Sequence, residues 1–348
     1  MNMEVRMDSP SSRALPNAEP LLRIENLGKK FYVKPGAFGT EVRTVHALED
    51  VTIDVRRGET LSVVGESGCG KSTLGFSILQ LLKPSEGSVT FEGTDLTQLS
   101  EKQMRRFRQK LQVVFQDPYA TLNPRMTIGE VLAEPLLLHG LATKKTVRDK
   151  SVEMLGDVGL PTRVLSSYPH QLSGGQRQRV AIARALACDP EFIVCDEAVS
   201  ALDVSVQAQI VNLLMSLQKK YGLTYLFIAH DLAVVRHMSD RVLVMYLGRP
   251  AELAPKKALF HEPLHPYTRA LLSAVPEPDP ERERNRRRQE LVGEIPSPLN
   301  PPTGCRFHTR CPLAETVCSQ KVPQWREAAP EHWVACHMVP ETIQGEPS

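Results

Sequence analysis

The chain has 348 residues, with 42 Lys and Arg against 40 Asp and Glu for a formal net charge of +2. That length suggests about two domains with ample core, and the near-balance of charge argues against a nucleic-acid binder held by bulk electrostatics. Apolar residues make up 41% and charged residues 24%, as in a soluble globular protein. No stretch offers the ~18–20 uninterrupted apolar residues of a bilayer span, and residues 1–20 hold no apolar core of a secretory signal. Seven cysteines are too few for a disulfide scaffold in a chain this long. The expectation is a cytosolic multi-domain protein that does not cross a membrane by itself.

Residues 1–20 are polar, hold Ser, Pro and Asn without periodicity, and read as a flexible lead-in. The middle of the chain alternates short apolar or β-branched runs with longer helical patterns, the mark of an α/β fold with a parallel sheet. Four runs, Thr60–Val64, Leu111–Phe115, Phe192–Cys195 and Tyr225–Ala229, have the near-continuous apolar character of strands buried on both faces. Each is followed at once by a chemically loaded residue: Gly65, Gln116, Asp196 and His230. Ligands of open α/β sheets bind beyond the carboxyl ends of strands, so these four residues outline a site if their strands are neighbours.

Directly after the first run, Gly65-Glu66-Ser67-Gly68-Cys69-Gly70-Lys71-Ser72 fits G-x-x-x-x-G-K-[ST]. Glycines permit the tight loop, backbone N–H groups wrap phosphates at a helix start, the Lys reaches the β/γ-phosphates and the Ser ligates Mg²⁺. A helix over Thr73–Leu82 follows, which is the required context. Residues from about 120 to 170 look helical and form a candidate insertion into the core.

Leu172-Ser173-Gly174-Gly175-Gln176 precedes a helix-friendly run, Arg177–Ala187. Its Ser and bare glycine backbone make either a second helix-start anion site or a simple helix N-cap. The third strand ends in Asp196 and Glu197; Asp196 suits Mg²⁺, and Glu197 suits the general base that polarises a water. Prolines gather between Pro276 and Pro302 beside the charge run Glu281–Glu290, which reads as a linker or extended arm.

Cys305, Cys311, Cys318 and Cys336 follow within about thirty residues. Four thiolates in a reducing compartment point to a metal rather than disulfides. The tight C-x₂₋₄-C pairs of structural zinc are missing, so the looser spacing suits an iron–sulfur cluster, with zinc and unliganded thiols as alternatives. Cys69, Cys188 and Cys195 read as small apolar fillers, and His308, His332 and His337 as solvated surface rather than ligands.

Gly65–Ser72, Gln116, Leu172–Gln176, Asp196–Glu197, Ala201-Leu202-Asp203 and His230, in that order, resemble the ATP-binding-cassette (ABC) ATPases over residues from about 21 to 260. The resemblance implies a P-loop NTPase with a RecA-like core, an antiparallel β subdomain and a helical insertion. It implies a head-to-tail dimer in which residues 172–176 of one cassette close on ATP held by the partner's P-loop. It further implies a nucleotide site of Gly65–Thr73, with Ser72, Gln116 and Asp196 on Mg²⁺. Glu197 would be the catalytic base, His230 the γ-phosphate contact and Asp203 the cross-dimer contact. Phe31 is the implied adenine-stacking aromatic, with Tyr32 its competitor.

A narrower set resembles the ATP-binding subunits of bacterial dipeptide and oligopeptide importers, with the F-type dipeptide subunit the nearer likeness. It comprises Gln116–Tyr119, Leu122–Arg125, Tyr168–His170, Tyr246–Arg249, His265–Thr268 and Gly293–Pro302. The organisation it implies is a cassette over 21–265 and a C-terminal extension over 266–348. Implied partners are a second, non-identical cassette, two permease subunits and a periplasmic or extracellular peptide-binding protein, and no nucleic acid, with the chain peripheral on the cytoplasmic face of the bacterial inner membrane. Some such ATPases carry a [4Fe–4S] cluster in this extension. Nickel and glutathione importers use similar ATPases, and the cassette alone does not exclude a drug exporter or a soluble cassette protein. One departure is Ala198, where the family usually has Pro.

Overall fold

A computed structural model describes residues 19–33, 43–274, 291 and 293–341. The lead-in up to residue 18 and the charge run Glu281–Glu290 lie outside the described residues.

Two sheets carry the fold. In the first, β1 (Leu22–Val33), β2 (Arg43–Val55), β4 (Glu86–Phe91) and β5 (Thr94–Asp95) pair antiparallel in the order β2-β1-β4-β5. The second contains β3 (Thr60–Val64), β6 (Leu111–Val114), β7 (Phe192–Asp196), β8 (Thr224–Ile228), β9 (Arg241–Tyr246), β10 (Arg249–Pro255), β11 (Arg326–Ala329) and β12 (His332–Val334). Its order is β11-β12-β10-β9-β3-β8-β7-β6. Strands β9, β3, β8, β7 and β6 run parallel, and β10, β12 and β11 add an antiparallel flank.

The continuous apolar runs follow from this placement. Every residue of β3, β7, β8 and β9 is buried, because the parallel strands are covered on both faces. Alternate side chains feed two cores. Tyr225 and Phe227 join the core made with the helices Ile128–Leu138, Gly174–Leu186 and Val204–Tyr221, while Leu226 and Ile228 join the core beneath the antiparallel sheet and the helix Lys71–Ile78.

All four expected strands form, and they are neighbours in the order β3-β8-β7-β6. Strand β8 sits one residue earlier than its apolar run, leaving Ala229 in the loop. The helix expected over Thr73–Leu82 instead spans Lys71–Ile78. Gln80 takes a left-handed φ of 55°, and the Leu81 and Leu82 N–H groups both turn back to Phe76 O, which closes the helix early. The expected helical stretch holds Ile128–Leu138 and Val147–Asp157; Thr127 and Glu130 cap the first reciprocally.

The tail does not stand apart from the core. Strand β12 pairs with β10 through Glu252–Val334 and Leu253–Trp333. The fully buried Glu252 carboxylate accepts the N–H groups of Leu264 (2.8 Å) and His265 (2.9 Å) and meets His332 Nε2 at 2.7 Å. His332, expected on the surface, is therefore a buried partner of Glu252. Trp325 Nε1 reaches the antiparallel sheet by donating to Thr52 O at 3.1 Å.

His265 is buried beside Glu252, and its Nδ1 accepts the Tyr267 N–H at 3.0 Å, which fixes a neutral ring. Burial drives its pKa down to about 4, with Glu252 and the Ala335 backbone opposing. Protonation therefore favours the unfolded chain, where the ordinary value is ~6.5. The His265 contribution to stability is fully present above pH ~6.5 and falls as pH drops to about 4, by up to about 3 kcal/mol, then levels. Urea melts across this window, compared with those of His265→Asn, which still offers an acceptor to Tyr267, measure this contribution: the stability of the wild type relative to the variant should fall as pH drops from ~6.5 to about 4.

Candidate nucleotide site

The strand register assembles the site. Val63 lies beside Ile228, Ile228 beside Asp196, and Val114 beside Cys195. Gly65, Gln116, Asp196, Glu197 and His230 all leave the sheet at the same carboxyl edge, where open α/β sheets bind ligands.

Residues 65–72 form a tight loop between β3 and the helix Lys71–Ile78. Gly65, Gly68 and Gly70 take φ of 150°, 76° and 102°, which favour glycine. Lys71 is buried, and its Nζ donates to the carbonyls of Gly65 (2.9 Å) and Glu66 (3.0 Å). This curls the loop around the ammonium. Cys69 is a buried filler as expected, and burial pushes its thiol up. Cys188 and Cys195 are buried fillers too. Ser67, Gly68 and Thr73 complete the loop and first turn, whose N–H groups mark the positive end of the helix.

Ser72 Oγ donates to Asp196 Oδ1 at 2.7 Å, tying this helix start to the end of β7. Burial raises the Asp196 pKa and the neighbouring Glu197 adds to that, while the Ser72 hydroxyl and Lys71 oppose it. A hydroxyl and one carboxylate side by side suit Mg²⁺, which takes few protein oxygens and completes its shell from phosphate and water.

Glu197 holds a left-handed φ of 46° with its N–H on Ile228 O at 3.0 Å. That backbone turns its carboxylate towards His230, whose Nδ1 lies 3.7 Å from Glu197 Oε2. The two line a small pocket with Val199, Ser200, Gln207 and Asp231. His230 is largely exposed and Ala198 is buried. Gln116 stands exposed just past β6.

Residues 172–176 meet other partners. Ser173 Oγ accepts the Gln176 N–H at 3.3 Å, and Gln176 Oε1 accepts the Ser173 N–H at 3.0 Å, so the N-cap reading of the sequence is realised. A Cβ on Gly175 would stand 2.6 Å from Val206, and one on Gly174 3.4 Å from Leu202. This turn therefore packs beside Asp203, the exposed residue preceding the helix Val204–Tyr221. Leu172 is buried beneath it. Phe31 lies on β1, 36% exposed, with Lys29 Nζ 5.1 Å from its ring centre, and Tyr32 is 69% exposed.

Among the described residues, no three Cys, His, Asp or Glu side chains converge as a metal-holding group. The expected four-thiolate ligand set is thus not assembled. Cys305 and Cys311 are half-buried against the main core, Cys318 is buried, and Cys336 belongs to a small cluster with Ala328, Val334 and Val339. Burial pushes the Cys305 thiol to about 11 and also raises Cys311 and Cys336, so a metal held here would have to displace their protons. His308 Nδ1 meets Cys305 O at 2.8 Å and His337 Nε2 meets Lys321 O at 2.9 Å.

Arg310 and Tyr267 were not singled out as site residues by sequence reasoning, yet both contact Glu66 of the loop. They lie 244 and 201 residues away along the chain, so no local pattern ties them to the loop.

Residues 48–200 match the ABC transporter family model, and residues 251–318 match that of the oligopeptide/dipeptide transporter C-terminal region. The chain is 51% identical over 323 residues to the oligopeptide transport ATP-binding protein AppF of Bacillus subtilis, covering 92% of this chain and 98% of that protein. It is 55% identical over 320 residues to the putative oligopeptide transport ATP-binding protein YkfD of the same organism, covering 92% and 95%. Among solved structures, the dimeric post-hydrolysis state of the ATP-binding cassette MJ0796 bound to ADP and Pi aligns with a TM-score of 0.60 at 32% identity, covering 68% of this chain and 98% of that one. CbiO1 of Clostridium perfringens aligns with a TM-score of 0.60 at 29% identity, covering 70% and 92%. With this cassette fold and this tail, the chain belongs to the ATP-binding subunits of ABC-type oligopeptide and dipeptide transporters.

Proposed function

We propose that the chain binds and hydrolyses ATP to power uptake of dipeptides or oligopeptides through separate transmembrane permease subunits. The observation that carries this reading is the Ser72–Asp196 hydrogen bond at the start of a glycine loop, with Glu197 and His230 on the same sheet edge. It joins a phosphate-cradling turn to an oxygen pair and a candidate base. Relatives with peptide-transport names over nine-tenths of the chain support the substrate class.

In this reading the N–H groups of Gly68–Thr73 bind the phosphates, and Lys71 moves its ammonium from the loop carbonyls to the β/γ-phosphate oxygens. Ser72, Asp196 and Gln116 hold Mg²⁺, which when bound neutralises charge on the β- and γ-phosphates. Glu197 orients and deprotonates the attacking water, and His230 donates to the γ-phosphate. Phe31 stacks on adenine, with the exposed Tyr32 beside it. Residues Leu172–Gln176 serve a partner's nucleotide: Ser173 is exposed at a helix start followed by two glycines, and Asp203 lies beside them for cross-dimer contact. Closure around ATP drives the switch because the closed state binds the nucleotide more tightly than the open one.

The partner cassette is a non-identical paralogue, and a peptide-binding protein outside the membrane supplies cargo. Residues 21–265 act as the cassette and 266–348 as its extension. No helix of the described residues is long and apolar enough to cross a membrane, in keeping with a peripheral place on the cytoplasmic face of the inner membrane. The finer reading of the tail is a [4Fe–4S] cluster on Cys305, Cys311, Cys318 and Cys336. Its support is the softness of four thiols and the contact between two of the segments that carry them, since the Cys305 N–H donates to Cys318 O at 2.7 Å.

Glu197→Gln is expected to keep MgATP binding while turnover falls ~10²–10⁴-fold, read as phosphate release; full turnover removes Glu197 as the base. Lys71→Ala is expected to abolish measurable MgATP binding in a nucleotide titration, and unchanged affinity contradicts the loop's role. Protein purified anaerobically should carry about four irons and matching acid-labile sulfide per chain, whereas trace iron removes the cluster.

A further inference from the structure

Glu66, the second residue of the glycine loop, is held on three sides. Its carbonyl accepts from Lys71 Nζ at 3.0 Å, and its N–H donates to the Tyr267 hydroxyl at 2.9 Å. Its carboxylate meets Arg310: Nη1 donates to Oε2 at 2.8 Å and Nη2 to Oε1 at 3.0 Å. Two parallel N–H···O bonds between a guanidinium and a carboxylate set direction as well as distance. The Arg310 side chain is only 6% exposed and that of Glu66 20%, so water screens the pair weakly.

Arg310 is anchored in turn. Nη1 also lies 3.3 Å from the Tyr246 hydroxyl, and the guanidinium stands 5.9 Å from the Tyr246 ring centre. Tyr246, Tyr267 and Phe307 pack as an aromatic trio with ring centres 4.8 to 5.3 Å apart. Four residues before Arg310, Arg306 donates to Leu247 O and to Glu49. The extension segment thus reaches the loop through rigid, buried groups.

An unpaired carboxylate in this loop would repel an incoming triphosphate and leave the turn free to swing. We propose that Arg310 is a positioning residue of the nucleotide site: supplied by the C-terminal extension, it cancels the Glu66 charge and fixes the loop in its phosphate-binding shape. The extension thereby sets the loop's affinity for MgATP. This rests on reading residues 65–72 as the ATP-binding loop.

MgATP titrations of the full chain test it, comparing Arg310→Ala, Arg310→Met, Arg310→Lys, Glu66→Gln and the double variant Glu66→Gln/Arg310→Ala, each with a thermal midpoint. Arg310→Ala should weaken MgATP binding roughly tenfold, and Arg310→Met, which keeps the apolar stem, should match it if the alanine variant folds poorly. Arg310→Lys should recover part of the loss, since it keeps the charge but not the fork. Glu66→Gln/Arg310→Ala should bind several-fold better than Arg310→Ala, because the repelling carboxylate is gone. Wild-type affinity in both Arg310→Ala and Arg310→Met overturns the proposal. So does a double variant no better than Arg310→Ala, with losses that track the thermal midpoint. If the unsubstituted chain fails to bind MgATP, or Lys71→Ala binds equally well, the nucleotide reading itself falls and this proposal with it.

Discussion

The glycine loop at residues 65–72 is pinned at Gly65 and Gly70, and the rest of the site is arranged around that constraint. A Cβ on Gly70 would lie 2.5 Å from Ala47 O, and one on Gly65 would collide with the Met245 carbonyl. Gly248 N–H donates to Cys69 O at 2.9 Å, and Glu49 N–H donates to Gly248 O at 2.9 Å. The loop is therefore held between the antiparallel sheet on one side and the β9–β10 turn on the other. Only a chain lacking side chains at these two points, with φ of 150° and 102°, threads that gap.

This confinement explains the electrostatics of the neighbourhood. Lys71 is buried but not stranded, because two loop carbonyls receive its ammonium. Asp196 sits in a partly desolvated position with a raised pKa, and the Ser72 hydroxyl offsets part of that cost. The acidic group least explained by the loop alone is Glu66, and its balancing charge comes from Arg310.

The tail adds to the ties between the two sheets, which also share a core and the Arg241–Asp54 pair. Strand β12 extends the parallel core through β10, Trp325 bonds to β2, and Arg306 reaches Glu49 and Leu247. Glu252 fixes one end of this tie by accepting from the backbone at Leu264 and His265 while meeting His332. Such a buried carboxylate is tolerated only because its oxygens are satisfied. The same segment therefore braces the fold and the loop at once.

Much of this was legible in the residues. Four apolar runs, each ending on a loaded residue, located β3, β6, β7 and β8, and the glycine spacing located the loop, because burial on both faces and tight turns restrict local composition. Periodicity overran the helix after Ser72, since a left-handed Gln80 stops it and glutamine carries no strong breaker signal. The cysteine spacing suggested ligands, whereas the folded thiols lie near one another without converging, a matter of burial that spacing does not encode. His332 read as surface and proved buried, because its partner Glu252 lies 80 residues away. Short-range chemistry is written along the chain; which distant charge neutralises Glu66, and which strands end side by side, is decided only when the sheet closes, since those contacts depend on register and packing rather than on neighbouring letters.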